Sequence, residues 1–153
     1  EPVAAGAARA DAAVLVGADR SGALARLPAG LPVLHAALRP DAAQAALAGR
    51  RVVAFAGIAI PEKFFASLAE AGAQVMERHS FPDHYRFSGA ELDFLAERAD
   101  LRRAVLVTTP KDAMRLPVAF RRRVRVAGVT LEFADPAALA AMLDRALGPA
   151  PRA

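Results

Sequence analysis

The sequence has no cysteine, which excludes disulfide bridges and thiolate metal sites and permits a reducing compartment. Tryptophan is also absent, and Tyr85 is the only tyrosine. Nucleic-acid binders usually interleave basic residues with exposed aromatics, so this scarcity disfavours nucleic acid as a partner. Long apolar runs are missing too. The longest, Val52 to Ile60, falls far short of the roughly 18–20 residues that span a bilayer. The chain begins Glu1-Pro2, with neither a methionine nor a leader-like pattern, which raises the expectation of an internal fragment. The nucleotide and hydrolase signatures G-x-x-x-x-G-K-[ST], G-x-G-x-x-G, H-E-x-x-H and G-x-S-x-G do not occur, so nothing here cradles a triphosphate by itself. His35, His79 and His84 lack metal-ligand spacing, and no metal site is expected. His35 and His79 read as structural residues on strands.

What is present suits one substantial core: 153 residues, 55% of them hydrophobic. The net charge is +4, and Lys63 and Lys111 are the only lysines, so arginine supplies eighteen of the twenty basic residues. Arginine favours planar, bidentate contact with phosphate, which points to an anionic partner. A GC-rich genome produces the same excess without any ligand.

Apolar β-branched runs alternate with Ala/Leu/Glu-rich amphipathic segments. Strands are expected at Ala13–Gly17, Leu31–Ala37 (weakened by Pro32), Arg51–Ala56, Gln74–Arg78 and Ala104–Thr108, with closing strands at Arg123–Ala127 and Val129–Phe133. Helices are expected near Pro2, over Pro61–Ala71, from Ser88 to about Arg98, from Thr109-Pro110 to about Leu116, and over Pro136–Leu147. Ser88 and Glu91 form the S-x-x-E pattern of a capping box. This alternation predicts an α/β fold with a mostly parallel sheet and flanking helices. A boundary is expected between Arg39 and Gly49, giving regions 1–50 and 51–153.

The most informative stretch is Phe81-Pro82-Asp83-His84-Tyr85-Arg86-Phe87, a loop between a strand and a capped helix. Polar, titratable groups at the end of a parallel strand are where α/β proteins place their sites. Adjacent Asp and His pair poorly unless the loop bends, so Asp83 is expected to fix the backbone while His84 faces a cleft. The plainer alternative is a turn in which Asp83 caps and His84 is merely solvated. Thr109-Pro110-Lys111-Asp112 opens a helix, where free N–H groups and the Lys111 charge attract anions. Thr109 could equally be an N-cap with Pro110 at the first turn, which needs no ligand. Gly57 follows the third strand and permits a bend or a close approach. Arg121, Arg123 and Arg125 share one face if their segment is extended, giving a basic stripe for an anionic lipid surface or a solvated edge.

Four stretches in order, EPVAAGAARADAAVLVG (Glu1–Gly17), VVAFAGIAIPEKFF (Val52–Phe65), FPDHYRF (Phe81–Phe87) and LVTTPKDAMRL (Leu106–Leu116), resemble the tetraacyldisaccharide 4'-kinases, the lipid A kinases of Gram-negative bacteria. The resemblance places Glu1 mid-way along the family's sequence, after its Walker A loop. It implies a P-loop-NTPase-like fold truncated at the N-terminus, with 1–50 a remnant of the core domain and 51–153 carrying the D-H-Y loop. The implied reaction moves the γ-phosphoryl of ATP, with Mg²⁺, to the 4'-hydroxyl of tetraacyldisaccharide 1-phosphate, and the fragment alone would be inactive. The implied location is peripheral, on the cytoplasmic face of the inner membrane, touching its anionic surface. By position the family's cleft histidine is His84, with Asp83 beside it. That histidine would pair with a core aspartate that deprotonates the acceptor. Lys111-Asp112 matches a family motif and, with Thr109, is the candidate nucleotide-binding set. Ala59, Ile60 and Pro110 depart from the family's usual Gly, polar residue and Glu. The competing expectations are a non-catalytic α/β module for an anionic ligand and a nucleotide-sugar-binding lobe of a glycosyltransferase.

Overall fold

The computed structural model describes residues 2–148. In chain order the elements are α1 (Val3–Ala7), β1 (Ala13–Val16), β2 (Val33–Pro40), α2 (Ala42–Ala45), β3 (Arg51–Ala56), α3 (Pro61–Glu70) and β4 (Gln74–Ser80). They continue with α4 (Gly89–Arg102), β5 (Val105–Thr108), α5 (Pro110–Ala113), α6 (Val118–Arg121), β6 (Arg125–Val126), β7 (Val129–Phe133) and α7 (Pro136–Leu147). The described residues form two compact units, one of residues 40–130 and one joining 2–39 to 131–148. The larger unit begins at Pro40. Residues 40–50 fold with the larger unit because Leu47 is buried in the same cluster as Val52 and Leu68.

The smaller unit holds a three-stranded sheet in the order β1-β2-β7. β1 and β2 run parallel, from Ala13 opposite Val33 to Val16 opposite Ala36. Pro32 limits the strand as expected: β2 begins at the residue after it, and the Pro32 carbonyl still accepts from Ala13 N–H at 2.9 Å. The expected closing strands part company, since β7 joins this sheet and β6 joins the other.

The larger unit is built on a four-stranded, wholly parallel sheet in the order β4-β3-β5-β6. β3 is central, and Val52 through Ala56 are all fully buried. Period-two alternation sends Val52, Ala54 and Ala56 into one core with Phe64, Phe65 and Leu68 of α3. Val53 and Phe55 enter the opposite core with Leu92, Leu95 and Ala96 of α4. A strand covered on both faces reads as an unbroken apolar run, as this one does. Each fully buried Phe or Leu contributes about 1.5–3 kcal/mol, so the two cores set the fold.

Sequence punctuation fixes the ends. Ser88 Oγ accepts from Glu91 N–H while the Glu91 carboxylate accepts from Ser88 N–H at 2.8 Å, the reciprocal capping box expected for α4. The helix outruns its expected end and stops at Arg102, before a left-handed Arg103. The segment 121–125 is not an extended stripe. Val118–Arg121 is helical, the strand holds only Arg125–Val126, and Arg121 folds back onto the Met114 and Leu116 carbonyls. Arg123 lies beside Asp100 and over the Phe120 ring. The period-two phase that would align the arginines is therefore lost.

β4 and α4 are also tied by charge. Glu77, only 12% exposed at its side chain, accepts from Arg98 at 2.5 and 2.9 Å, from Arg102 at 2.6 Å and contacts His79 at 3.2 Å. His79 packs edge-on against Phe94, in keeping with a structural residue. Arg98 foremost, then Arg102, hold the Glu77 carboxyl down to about 2 from an ordinary 4.5. A depressed carboxyl stabilises the fold above its unfolded value and loses that contribution as pH falls toward its folded one. Glu77→Gln is thus expected to lower the urea midpoint at pH 7, with the gap to the parent closing between about pH 4.5 and 2. A gap independent of pH would refute the ion-pair account.

Candidate functional site at the carboxyl ends of the parallel strands

From β3 the chain crosses to β4 on one side, and from β4 it crosses back to β5 on the other. Loops leaving β3 and β5 therefore diverge, and the crevice between them is the place where open α/β sheets bind ligands. The loops after β3, β4 and β5 meet there at Gly57. A Cβ on Gly57 would come within 3.1 Å of the Pro82 carbonyl, 3.2 Å of Asp112 Oδ1 and 3.2 Å of Tyr85 Cβ. Only glycine allows that approach without moving a backbone.

The heptapeptide 81–87 sorts its side chains by chemistry. Phe81, Tyr85 and Phe87 stack on one another with centroids 5.0–5.6 Å apart, and Phe87 packs edge-on to buried Phe55 at 5.3 Å. Tyr85 Oη donates to Glu91 Oε1 at 2.6 Å, anchoring the loop to the first turn of α4. That bond pushes the phenol up. The Ser88 hydroxyl, and after it Tyr85, hold the Glu91 carboxyl down. With the aromatics turned inward, Asp83, His84 and Arg86 remain for the cleft.

The turn closes with Tyr85 N–H donating to the Pro82 carbonyl at 3.2 Å. Its third residue, His84, has φ +62°, a conformation that costs a side-chain-bearing residue about 1–2 kcal/mol. His84 N–H donates to Asp83 Oδ1 at 2.9 Å and lies 3.3 Å from the Gly57 carbonyl. Asp83 thus fixes the backbone, as expected of it, and its Oδ2 lies 3.6 Å from His84 Nε2. The imidazole is 69% exposed and lines a cavity of about 610 Å³ with Arg86, Phe87 and Arg115. Lys111 reaches Asp83 at 3.7 Å.

Of the candidate nucleotide-binding residues only Lys111 faces outward. Thr109 is the N-cap: its Oγ1 accepts from Asp112 N–H at 3.1 Å and donates to Asp112 Oδ2 at 2.7 Å. Asp112 is fully buried, and its carboxylate also accepts from Gly57 N–H at 3.1 Å and from Arg115 Nη1 at 3.2 Å. In this geometry Thr109 and Asp112 hold loops together; Asp112 is sealed off, while Thr109 also borders the groove beside Lys111. Pro110, in place of the family's Glu, is fitted by Gly128, where a Cβ would meet the proline ring at 2.9 Å. Ile58, Ile60, Phe64 and Val129 line an apolar groove of about 540 Å³, and both lysines of the chain, Lys63 and Lys111, stand on its walls. Sequence reasoning missed Arg115. The i,i+3 spacing Asp112-x-x-Arg115 on a short helix was the available signal.

The family model for tetraacyldisaccharide-1-P 4'-kinase (LpxK) matches residues 1–148. The chain belongs to the tetraacyldisaccharide 4'-kinase family. It is 50% identical over 144 residues to the tetraacyldisaccharide 4'-kinase of Gluconacetobacter diazotrophicus, covering 94% of this chain and 44% of that protein. Against the enzyme of Paramagnetospirillum magneticum it is 49% identical over 147 residues, covering 95% and 45%. The chain therefore spans less than half the length of these relatives. The crystal structure of "apo" form LpxK from Aquifex aeolicus in complex with ATP matches with a TM-score of 0.58 and 24% identity, over 90% of this chain and 43% of that one. That likeness supports the α/β fold with its mostly parallel sheet and flanking helices. Membership in the tetraacyldisaccharide 4'-kinase family also sets aside the glycosyltransferase lobe.

If residue 84 is held left-handed, glycine suits it better than alanine. His84→Gly is expected to be about 1 kcal/mol more stable than His84→Ala in chemical denaturation. Equal stability, or a more stable alanine variant, would show that the position carries no such strain.

Proposed function

We propose that the whole protein transfers the γ-phosphoryl group of ATP to the 4'-hydroxyl of tetraacyldisaccharide 1-phosphate, and that this chain contributes the cleft wall bearing His84. The observation that carries the reading is a mostly exposed imidazole on a tightly pinned backbone, at the carboxyl ends of a parallel sheet. Phosphoryl transfer asks mainly for positioning and charge neutralisation, together with a group that orients the nucleophile. His84 is placed to orient that nucleophile or its base, with Asp83 fixing the turn beneath it. Lys111 and Arg86 supply positive charge toward phosphate oxygens. Thr109 and Asp112 act beneath the surface by keeping the loops in register.

Among the described residues no three His, Cys, Asp or Glu side chains are grouped to hold a metal by themselves. Mg²⁺ and the triphosphate would be held mainly by the part of the family's length that this chain does not span. Among the described residues no helix is long and apolar enough to cross a membrane. A tetraacylated acceptor resides in a bilayer, so we place the enzyme peripherally at the anionic cytoplasmic face of the inner membrane, where ATP is available.

The test is phosphate transfer from labelled ATP to the disaccharide lipid by the complete polypeptide. His84→Ala should lower kcat by about 100-fold or more. Unchanged turnover would remove His84 from the mechanism.

A further inference from the structure

We propose that Arg115 is a positioning residue that sets the tautomer and facing of His84, so that the imidazole presents an N–H donor to the cleft. For its functional consequence the inference rests on the reading of His84 given above, but the contact itself stands apart from that reading.

An imidazole that is 69% exposed has little packing to hold it. Among the described residues its strong side-chain anchor is Arg115 Nη2, 3.0 Å from His84 Nδ1. Arg115 is itself mostly buried, 20% exposed, and fixed on its other side. Nη1 donates to Asp112 Oδ1 at 3.2 Å and to the Gly57 carbonyl at 3.3 Å. Guanidinium is a rigid fork of donors with no acceptor and keeps its proton in proteins. Nδ1 must therefore receive this bond through its lone pair, which leaves the single hydrogen of the neutral ring on Nε2.

Nε2 lies 3.6 Å from Asp83 Oδ2, too long for a hydrogen bond. Its N–H remains open to a carboxylate or phosphate oxygen entering the cleft. In this state His84 donates at Nε2 and cannot remove a proton from a hydroxyl through that atom. Proton removal then falls to another group, and the imidazole serves to hold and orient it. Arg115 is thereby tied to Asp112, and the D-x-x-R spacing gains a purpose that capping alone does not give it.

The experiment is long-range proton–nitrogen NMR of the complete polypeptide with nitrogen-15-labelled histidine, alongside kinetics. The parent should show His84 Nδ1 as an unprotonated acceptor and Nε2 bearing the hydrogen. Arg115→Ala should raise the share of rings that carry the hydrogen on Nδ1 above the parent's and lower kcat at least about ten-fold with KM little changed. Arg115→Lys, which keeps a cationic donor, should recover part of both. If Arg115→Ala does not fold, the parent spectrum and Arg115→Lys still decide the matter. A hydrogen on Nδ1 in the parent, or a tautomer indifferent to residue 115, overturns the proposal. A shifted tautomer with kcat unchanged overturns its functional half. If the parent shows the stated tautomer but transfers no phosphate to the lipid, the kinase reading fails and the Arg115 contact stands.

Discussion

A fully buried carboxylate is costly unless every oxygen is matched, and Asp112 meets that condition by tying the loop after β3 to its own segment after β5, from which Arg115 reaches the loop after β4. One oxygen takes Gly57 N–H and the Thr109 hydroxyl, and the other takes Arg115. The loop after β3, the cap of α5 and the guanidinium that reaches His84 are thus parts of one charge-assisted network. Removing a partner from such a pair typically costs about 3–5 kcal/mol, because the remaining charge stays buried. The cleft histidine inherits its position from that constraint.

The same economy runs through the loop after β4. Three aromatics fasten it to the Phe55 face of the core, and the Tyr85 phenol adds a polar tether to the α4 capping box. Rigid anchoring on both sides is what permits a left-handed histidine in a cleft, since the surroundings fix a conformation the residue would not choose. Gly57 is the counterpart: a missing side chain lets the Pro82 carbonyl and Asp112 approach the end of β3.

Much of the larger unit could be read from its sequence because its signals are local. The run Arg51–Ala56 had the length and branching of a central strand, and Ser88 and Glu91 marked a helix start; in the smaller unit the helix Pro136–Leu147 formed as expected. Residues 121–125 misled because alternating charge mimics strand periodicity, whereas Pro117 and buried Phe120 favour a helical turn first. The inward aromatics and outward Asp83-His84-Arg86 were not visible, since a seven-residue loop has no fixed period. The buried fate of Asp112 and Thr109 was hidden for a different reason. A capping pattern and an anion site use the same residue types at a helix start, and only the tertiary contact with Gly57 separates them.

Amide hydrogen exchange in Asp112→Asn tests the linkage most directly. If one carboxylate holds the three loops in register, protection should fall together at Gly57, at Tyr85 in the neighbouring loop and across residues 109–115. Faster exchange confined to 109–115, with Gly57 and Tyr85 as protected as in the parent, would contradict it.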